Sequence, residues 1–343
     1  MAPSLGAVGG LIVPAGLYLL FNAGGPGAAA WGVPISTDTA VLLGVLALVG
    51  PRCPDQLRLF LLALAIVDDI GAVLAIAVFY TDDVDVVALL LAVALFACLL
   101  GLRFVHFWRT PVYVLIGVAM WLAVLRSGVH PSVVGVAMGL LVNAYAPRRY
   151  DIARVQVTGR NFLVDPSPGR AAAAQAAVTE AVSPNERLQL RLQPWSSYVI
   201  VPLFVLANAG VELSASTLRA AATSPVTWGI IVGLVIGKPI GVTIGTWVAL
   251  RTGLGRVPDT LRWGQLIGGA GLSGIGFTVA LFVTELALDD AVLVAEAKIG
   301  ILVGSVLAAV IGWLIFRLAG ERGGQCAPSG LPVLPPRPWR PVD

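Results

Sequence analysis

Leu57–Tyr80, LRLFLLALAIVDDIGAVLAIAVFY, is an apolar run in which Arg58 near the start and the adjacent carboxylates Asp68 and Asp69 are the only charges. A helix of that length crosses a hydrocarbon core ~30 Å thick. At a rise of ~1.5 Å per residue, Asp68 lies ~17 Å from the start of the run, near the bilayer midplane. An ionisable group at that depth costs at least ~2.5 kcal/mol, so two together require a compensating role. A cation that binds and leaves supplies one.

The rest of the chain has the same character. Hydrophobic residues make up 57% of it and charged residues 12%, against roughly a quarter charged in soluble domains. Ten apolar runs can be traced: Leu5–Asn22, Gly27–Val49, Leu57–Tyr80, Val84–Leu102, Pro111–Leu125, Val133–Ala146, Trp195–Gly210, Val226–Leu250, Leu261–Leu286 and Ala291–Leu318. The expected fold is an all-α polytopic membrane protein of about ten transmembrane helices. All arginines except Arg126 and Arg219 fall on alternate connections or on the tail, and Asp82, Asp83, Asp85, Glu285, Asp289 and Asp290 fall on the opposite side. Because cytoplasmic loops collect arginine and lysine, both termini are expected in the cytoplasm. The net charge of +3 reflects this bias and calls for no nucleic-acid partner.

Residues 147–194 form a long polar segment that divides the chain. We expect a first bundle of six spans over 1–146, a cytoplasmic linker over 147–194, a second bundle of four spans over 195–319 and a disordered cytoplasmic tail over 320–343. Within the linker, Arg170–Val182 has the alanine content of a surface helix, and its flanks read as flexible. Cys53, Cys98 and Cys326 have no ligand spacing, so neither a disulfide nor a cysteine metal site is expected. His106 and His130 read as interfacial histidines, and no cofactor is implied.

Two runs are unsuited to continuous helix. The second contains Gly32-Val33-Pro34 followed by Ser36-Thr37-Asp38-Thr39, which removes a backbone donor and adds four polar side chains at mid-depth. The ninth is glycine-dense from Gly268 to Thr278, with Gly274 and Gly276 near its middle. These runs are seven crossings apart, so the two halves enter the membrane in opposite senses, the layout of an inverted-topology repeat. Interrupted spans at matching positions of two halves point to a transporter's binding site.

Lys238, in Gly237-Lys238-Pro239, lies about as deep in the eighth run as Asp68 in the third. One carboxylate can hold a cation while the other pairs with Lys238. Burial disfavours the charged form of any ionisable group, which sets protons in competition with the cation. Paired half-helix N-termini attract negative charge and paired C-termini positive charge, so Asp38 suits the first and Lys238 the second. Thr37 and unwound carbonyls offer neutral oxygens to a hard alkali cation. The structural alternatives are an intramembrane ion-pair network for Asp68, Asp69 and Lys238, helix capping for Thr37 and Asp38, and close helix packing for the run-nine glycines. Glu296 and Lys298, near the outer surface, read as a local structural pair.

In order along the chain, GGLIVPA (9–15), STDTA (36–40), ALAIVDDIGA (63–72), SGVH (127–130), PLF (202–204) with ANAGV (207–211), IGKPIG (236–241), GIGFT (274–278) and AKIGILVGS (297–305) resemble the bacterial NhaA-type Na⁺/H⁺ antiporters. The resemblance implies Na⁺ or Li⁺ binding and proton exchange at Asp68 and Asp69, with Lys238 as charge partner and Thr37 and Asp38 in the first broken helix. It also implies electrogenic exchange that expels sodium, driven by the proton gradient and serving pH and sodium homeostasis. Against the family's twelve spans, ten are expected here, starting where the third would start. No homodimer through the family's N-terminal hairpin is therefore expected. At Gln189, Leu190 and Gln193 this chain also departs from the family's Glu and His before Pro-Trp, so family-style pH activation is not expected. The competing readings are an ion channel, a membrane sensor or a transport-inactive truncated homologue. An intramembrane aspartyl protease fits poorly, since it needs carboxylates on separate helices.

Overall fold

The computed structural model describes residues 2–49, 55–80, 84–104, 110–141, 149–182, 184–208, 210, 214–255 and 261–320. The tail 321–343, Cys53, Cys326, His106 and the loop arginines Arg52, Arg109, Arg148 and Arg256 lie outside them. Among the described residues the fold is entirely helical. The first half comprises α1 (Ala2–Asn22), a 3₁₀ turn (Ala28–Gly32), α2 (Thr39–Val49), α3 (Asp55–Phe79), α4 (Val86–Phe104), α5 (Thr110–Arg126) and α6 (Ser132–Leu141). It is followed by α7 (Arg149–Val164), α8 (Pro168–Ala181), α9 (Pro184–Trp195), α10 (Val201–Asn208) and α11 (Ala215–Thr223). The last part comprises α12 (Pro225–Val232), α13 (Lys238–Arg251), α14 (Trp263–Leu272), α15 (Phe277–Ala287) and α16 (Ala291–Gly320).

Five of these segments are long and apolar enough to span a bilayer: Ala2–Asn22, Gln56–Phe79, Leu188–Asn208, Pro225–Arg251 and Ala291–Leu318. α14 and α15, bent by 44° at their break, make a sixth when the pair is taken as one span, and Thr39–Leu48, Val86–Leu102, Val112–Arg126 and Ser132–Leu141 are apolar helices of 10–17 residues. Each coincides with one of the ten runs. Both expected interruptions are present, since Val33–Asp38 is non-helical before α2 and Ser273–Gly276 separates α14 from α15.

The polar segment differs from its expected form. Its central helix is α8, capped by the Ser167 hydroxyl accepting from the Arg170 amide and opened by Pro168. The flanks read as flexible are helices as well: α7 packs on α8, with Arg154 paired to Glu180, and α9 runs into the next span. Local turn residues dominated the reading of these flanks, whereas α7 gains its partner only through the hairpin. Position 194/195 falls within that run of helix, and Pro194, which has no amide to donate, sits just before a π-helical turn at Ser196–Ile200.

The packing is layered. One apolar cluster gathers Leu42, Leu57, Leu61, Leu64, Val242, Leu266, Leu272 and Phe316. A second gathers Tyr18, Val33, Ile76, Ile230, Leu234, Leu281 and Ile301. Along α3, Asp68 lies between Leu64 of the first and Ile76 of the second, so the carboxylate pair occupies a polar seam between two apolar layers. Leu59, Ile66, Leu74 and Val78 of the same helix are exposed, as lipid-facing residues are. α4, α5 and α6 bury a cluster of their own around Leu99, Met120 and Val124.

α1 and α13 make the most extensive helix contact, and glycine permits it. A Cβ at Gly9 would collide with the Gly241 carbonyl, one at Gly241 with the Gly9 carbonyl, and one at Gly245 with the Leu5 carbonyl. Backbone lies on backbone through small residues four apart, the membrane counterpart of core packing. Replacing Gly241 by Leu is expected to force α1 away from α13 and to lower the midpoint of heat-induced aggregation in detergent, measured by size-exclusion chromatography. A matching Gly16→Leu change, at a position with open space around its Cβ, is expected to leave that midpoint in place.

Candidate functional site

The site forms where the break before α2 meets the break between α14 and α15. The Asp38 amide donates to the Ile275 carbonyl at 2.6 Å, and the Thr37 hydroxyl donates to the Ser273 carbonyl at 2.8 Å. The two unwound stretches thus satisfy one another's backbone groups, as non-helical backbone buried at membrane depth requires. Asp38 then serves both helix starts. Its Oδ1 accepts from the Val41 amide at 3.0 Å, capping α2, and its Oδ2 accepts from the Thr278 amide at 3.1 Å and the Thr278 hydroxyl at 2.7 Å, at the start of α15. One carboxylate faces two positive helix termini.

The glycines of the second break act through the space they leave. A Cβ at Gly274 would strike the Leu234 carbonyl and lie 3.1 Å from the Ala308 Cβ, and one at Gly276 would lie 3.0 Å from the Ser36 carbonyl. Gly276 has φ −104° and ψ 11°, which places no special demand on glycine, so close approach is the requirement here.

Lys238 enters from the opposite side. Pro239 cannot donate to the carbonyl four residues before it, and the helix widens into a π turn over Gly233–Gly237 that delivers Lys238 to the head of α13. Its stem runs beside α1, where a Cβ at Gly10 would lie 3.8 Å from the lysine Cδ. Lys238 and Asp68 are both fully enclosed, at 0% exposure. The ammonium donates to Asp68 Oδ1 and Oδ2, each at 2.7 Å, and to the Ile35 carbonyl at the unwound end of the first break. Its three N–H donors therefore have three acceptors, one of them the carbonyl end of a half-helix.

Asp69 is placed differently. One position along α3 from Asp68 it turns by ~100°, is only half-buried, and accepts from the Thr39 hydroxyl at 3.0 Å. The adjacent acids thus divide into one sealed in an ion pair and one with partial access.

Asp68, Asp69, Lys238, Thr37, Asp38, Gly274 and Gly276, all singled out in the sequence, come together around this crossing. Thr37 is fully buried, with its hydroxyl committed to Ser273. Thr39 was passed over as an individual site residue, although it closes the quartet Ser36–Thr39 and follows the residue that caps α2. Glu296 and Lys298 do not pair with each other as expected. The Ser224 hydroxyl donates to Glu296 Oε2 at 2.6 Å, and Lys298 reaches Glu285 on α15 at 2.6 Å. Residues two apart on a helix point ~200° apart, which sends them to different neighbours. Glu285, Glu296 and Lys298 line a separate cavity of about 730 Å³ beside α11.

A family model described as Na+/H+ antiporter 1 matches residues 1–316. The chain belongs to this Na⁺/H⁺ antiporter family. It is 50% identical over 341 residues to a Frankia alni protein named Na(+)/H(+) antiporter NhaA 3, covering 98% of this chain and 74% of that one. It is 46% identical over 341 residues to Na(+)/H(+) antiporter NhaA 1 of Mycolicibacterium gilvum, covering 99% and 54%. To Na(+)/H(+) antiporter NhaA 1 of Salinispora arenicola it is 47% identical over 319 residues, covering 93% and 49%. The chain therefore spans about half the length of the latter two relatives. As a member of this antiporter family it is a multi-pass membrane protein.

Breaking the enclosed pair from one side strands a charge. Lys238→Met is expected to destabilise the protein by about 3–5 kcal/mol, read as a lowered unfolding midpoint in detergent, and adding Asp68→Asn is expected to recover part of the loss. Equal midpoints for wild type and Lys238→Met would show that Asp68 does not depend on the lysine.

Proposed function

We propose that this chain is a secondary transporter, not an enzyme, that exchanges Na⁺ or Li⁺ for H⁺ at Asp69 and Asp68. The observation that carries this reading is the division of labour between adjacent midplane acids: Asp68 is enclosed with Lys238, and half-buried Asp69 sits at the mouth of the helix crossing. Family membership and the names of the relatives support Na⁺ and H⁺ as the exchanged ions.

In this reading the cation binds on Asp69, whose carboxylate is the accessible one. Asp68 joins when its pairing with Lys238 loosens. Carboxylate oxygens bind Na⁺ only when deprotonated, so protons and Na⁺ compete for the same atoms, and a proton gradient drives Na⁺ the other way. Asp38 holds the crossing, where it offsets the paired N-termini of α2 and α15, and Lys238 offsets the carbonyl end at Ile35. Two interrupted helices that close one another at mid-depth favour alternating access over an open pore.

The loop charges support ten crossings with both termini and residues 147–194 in the cytoplasm and bundles over 1–146 and 195–319, and the bacterial relatives support an inner membrane. Exchange of more protons than Na⁺ makes the cycle electrogenic, and membrane lipid surrounds the exposed faces of the spans.

Everted vesicles from cells lacking other Na⁺/H⁺ exchange test the reading through the collapse of an imposed pH gradient on adding NaCl. Wild type is expected to collapse the gradient and Asp69→Asn to abolish the response. Exchange that survives unchanged in Asp69→Asn would overturn the assignment of the site.

A further inference from the structure

We propose that Thr39 is a cation ligand, contributing a neutral oxygen beside Asp69 and setting how tightly the site holds its ion. The inference deepens the exchange reading above and rests on Asp69 being the accessible carboxylate. Thr39 is the first residue of α2, immediately after the Asp38 cap, and the break in the chain turns its side chain towards α3. Its hydroxyl donates to Asp69 Oδ2 at 3.0 Å, and both residues are half-buried while Thr37, Asp38 and Asp68 are enclosed.

The chemistry favours Thr39 over the other hydroxyls of the crossing. Ser36 donates to the Val33 carbonyl, Thr37 to the Ser273 carbonyl, Ser273 to the Ala270 carbonyl and Thr278 to Asp38. Each of these bonds ties a hydroxyl to the scaffold. The Thr39 hydroxyl is tied instead to the carboxylate that holds the cargo. A hydroxyl has one proton and two lone pairs, so its oxygen accepts a cation while the proton stays on or swings away from Asp69. Two oxygens 3.0 Å apart form a natural edge for a hard cation held about 2.3–2.6 Å from each, as calcium-sized ions are. When the cation leaves, the same hydroxyl returns to Asp69 and keeps the carboxylate in place.

A ligand that acts in the bound ground state alters affinity and leaves the maximal rate nearly unchanged. Loss of one such contact corresponds to about a tenfold change in affinity. The test measures Na⁺/H⁺ exchange over a range of NaCl concentrations in everted vesicles for wild type, Thr39→Val, Thr39→Ser and Asp69→Asn. The isosteric Thr39→Val is expected to raise the apparent KM for Na⁺ about tenfold, with less than a twofold change in the rate at saturation. Thr39→Ser, which keeps the hydroxyl, is expected to restore the wild-type KM. An unchanged KM in Thr39→Val, a fall in rate alone, or a KM that Thr39→Ser fails to restore would each overturn the proposal. If instead wild type is inactive, or Asp69→Asn exchanges as wild type does, the underlying exchange reading fails, and these controls separate the two failures.

Discussion

Removing a carboxylate and an ammonium from water costs several kcal/mol for each ion, and mutual attraction repays that only with good geometry and with the remaining donors satisfied. Asp68 and Lys238 meet those terms through structure drawn from the whole chain. The lysine needs α12 to widen before Pro239, glycines on α1 and α13 that let the backbones touch, and an unwound carbonyl at Ile35 for its third hydrogen. The aspartate needs α3 to pass between the two apolar clusters at that level. Loss of any one of these leaves a buried charge short of a partner.

The helix breaks obey the same rule at the level of the backbone. In hydrocarbon an unpaired amide or carbonyl has no water to turn to, so a broken helix is tolerated only against another that completes it. Here the stretches around Thr37–Asp38 and Ser273–Ile275 complete each other, with glycine where the chains come too close for a Cβ. The polar layer this creates is thin, and the clusters around Leu64 and Leu234 close it on either side.

Much of this was legible in the sequence because the bilayer imposes a ruler. A charge in an apolar run has a depth, so the sequence alone sets Asp68 and Lys238 at one level, and Pro34 and the glycines after Gly268 mark where helix has to fail. Direction within a level was not legible. Thr37 and Thr39 look equivalent as letters, yet the first faces the partner break and the second faces Asp69, a distinction set by two residues of non-regular backbone. Glu296 and Lys298 looked like partners because proximity along the chain was mistaken for proximity across a helix surface. The helices α7 and α9 were hidden because polar sequence with scattered Pro and Gly reads alike whether or not it finds a neighbour.

Asp38 is bound to both half-helices by the same carboxylate, one oxygen to each. Treated as a mechanical part, it is an axle: α2 and α15 cannot be drawn apart without uncapping one of them in a medium that offers no replacement. Any rearrangement of the two half-helices must therefore keep this carboxylate as its fixed point or supply each amide with another acceptor.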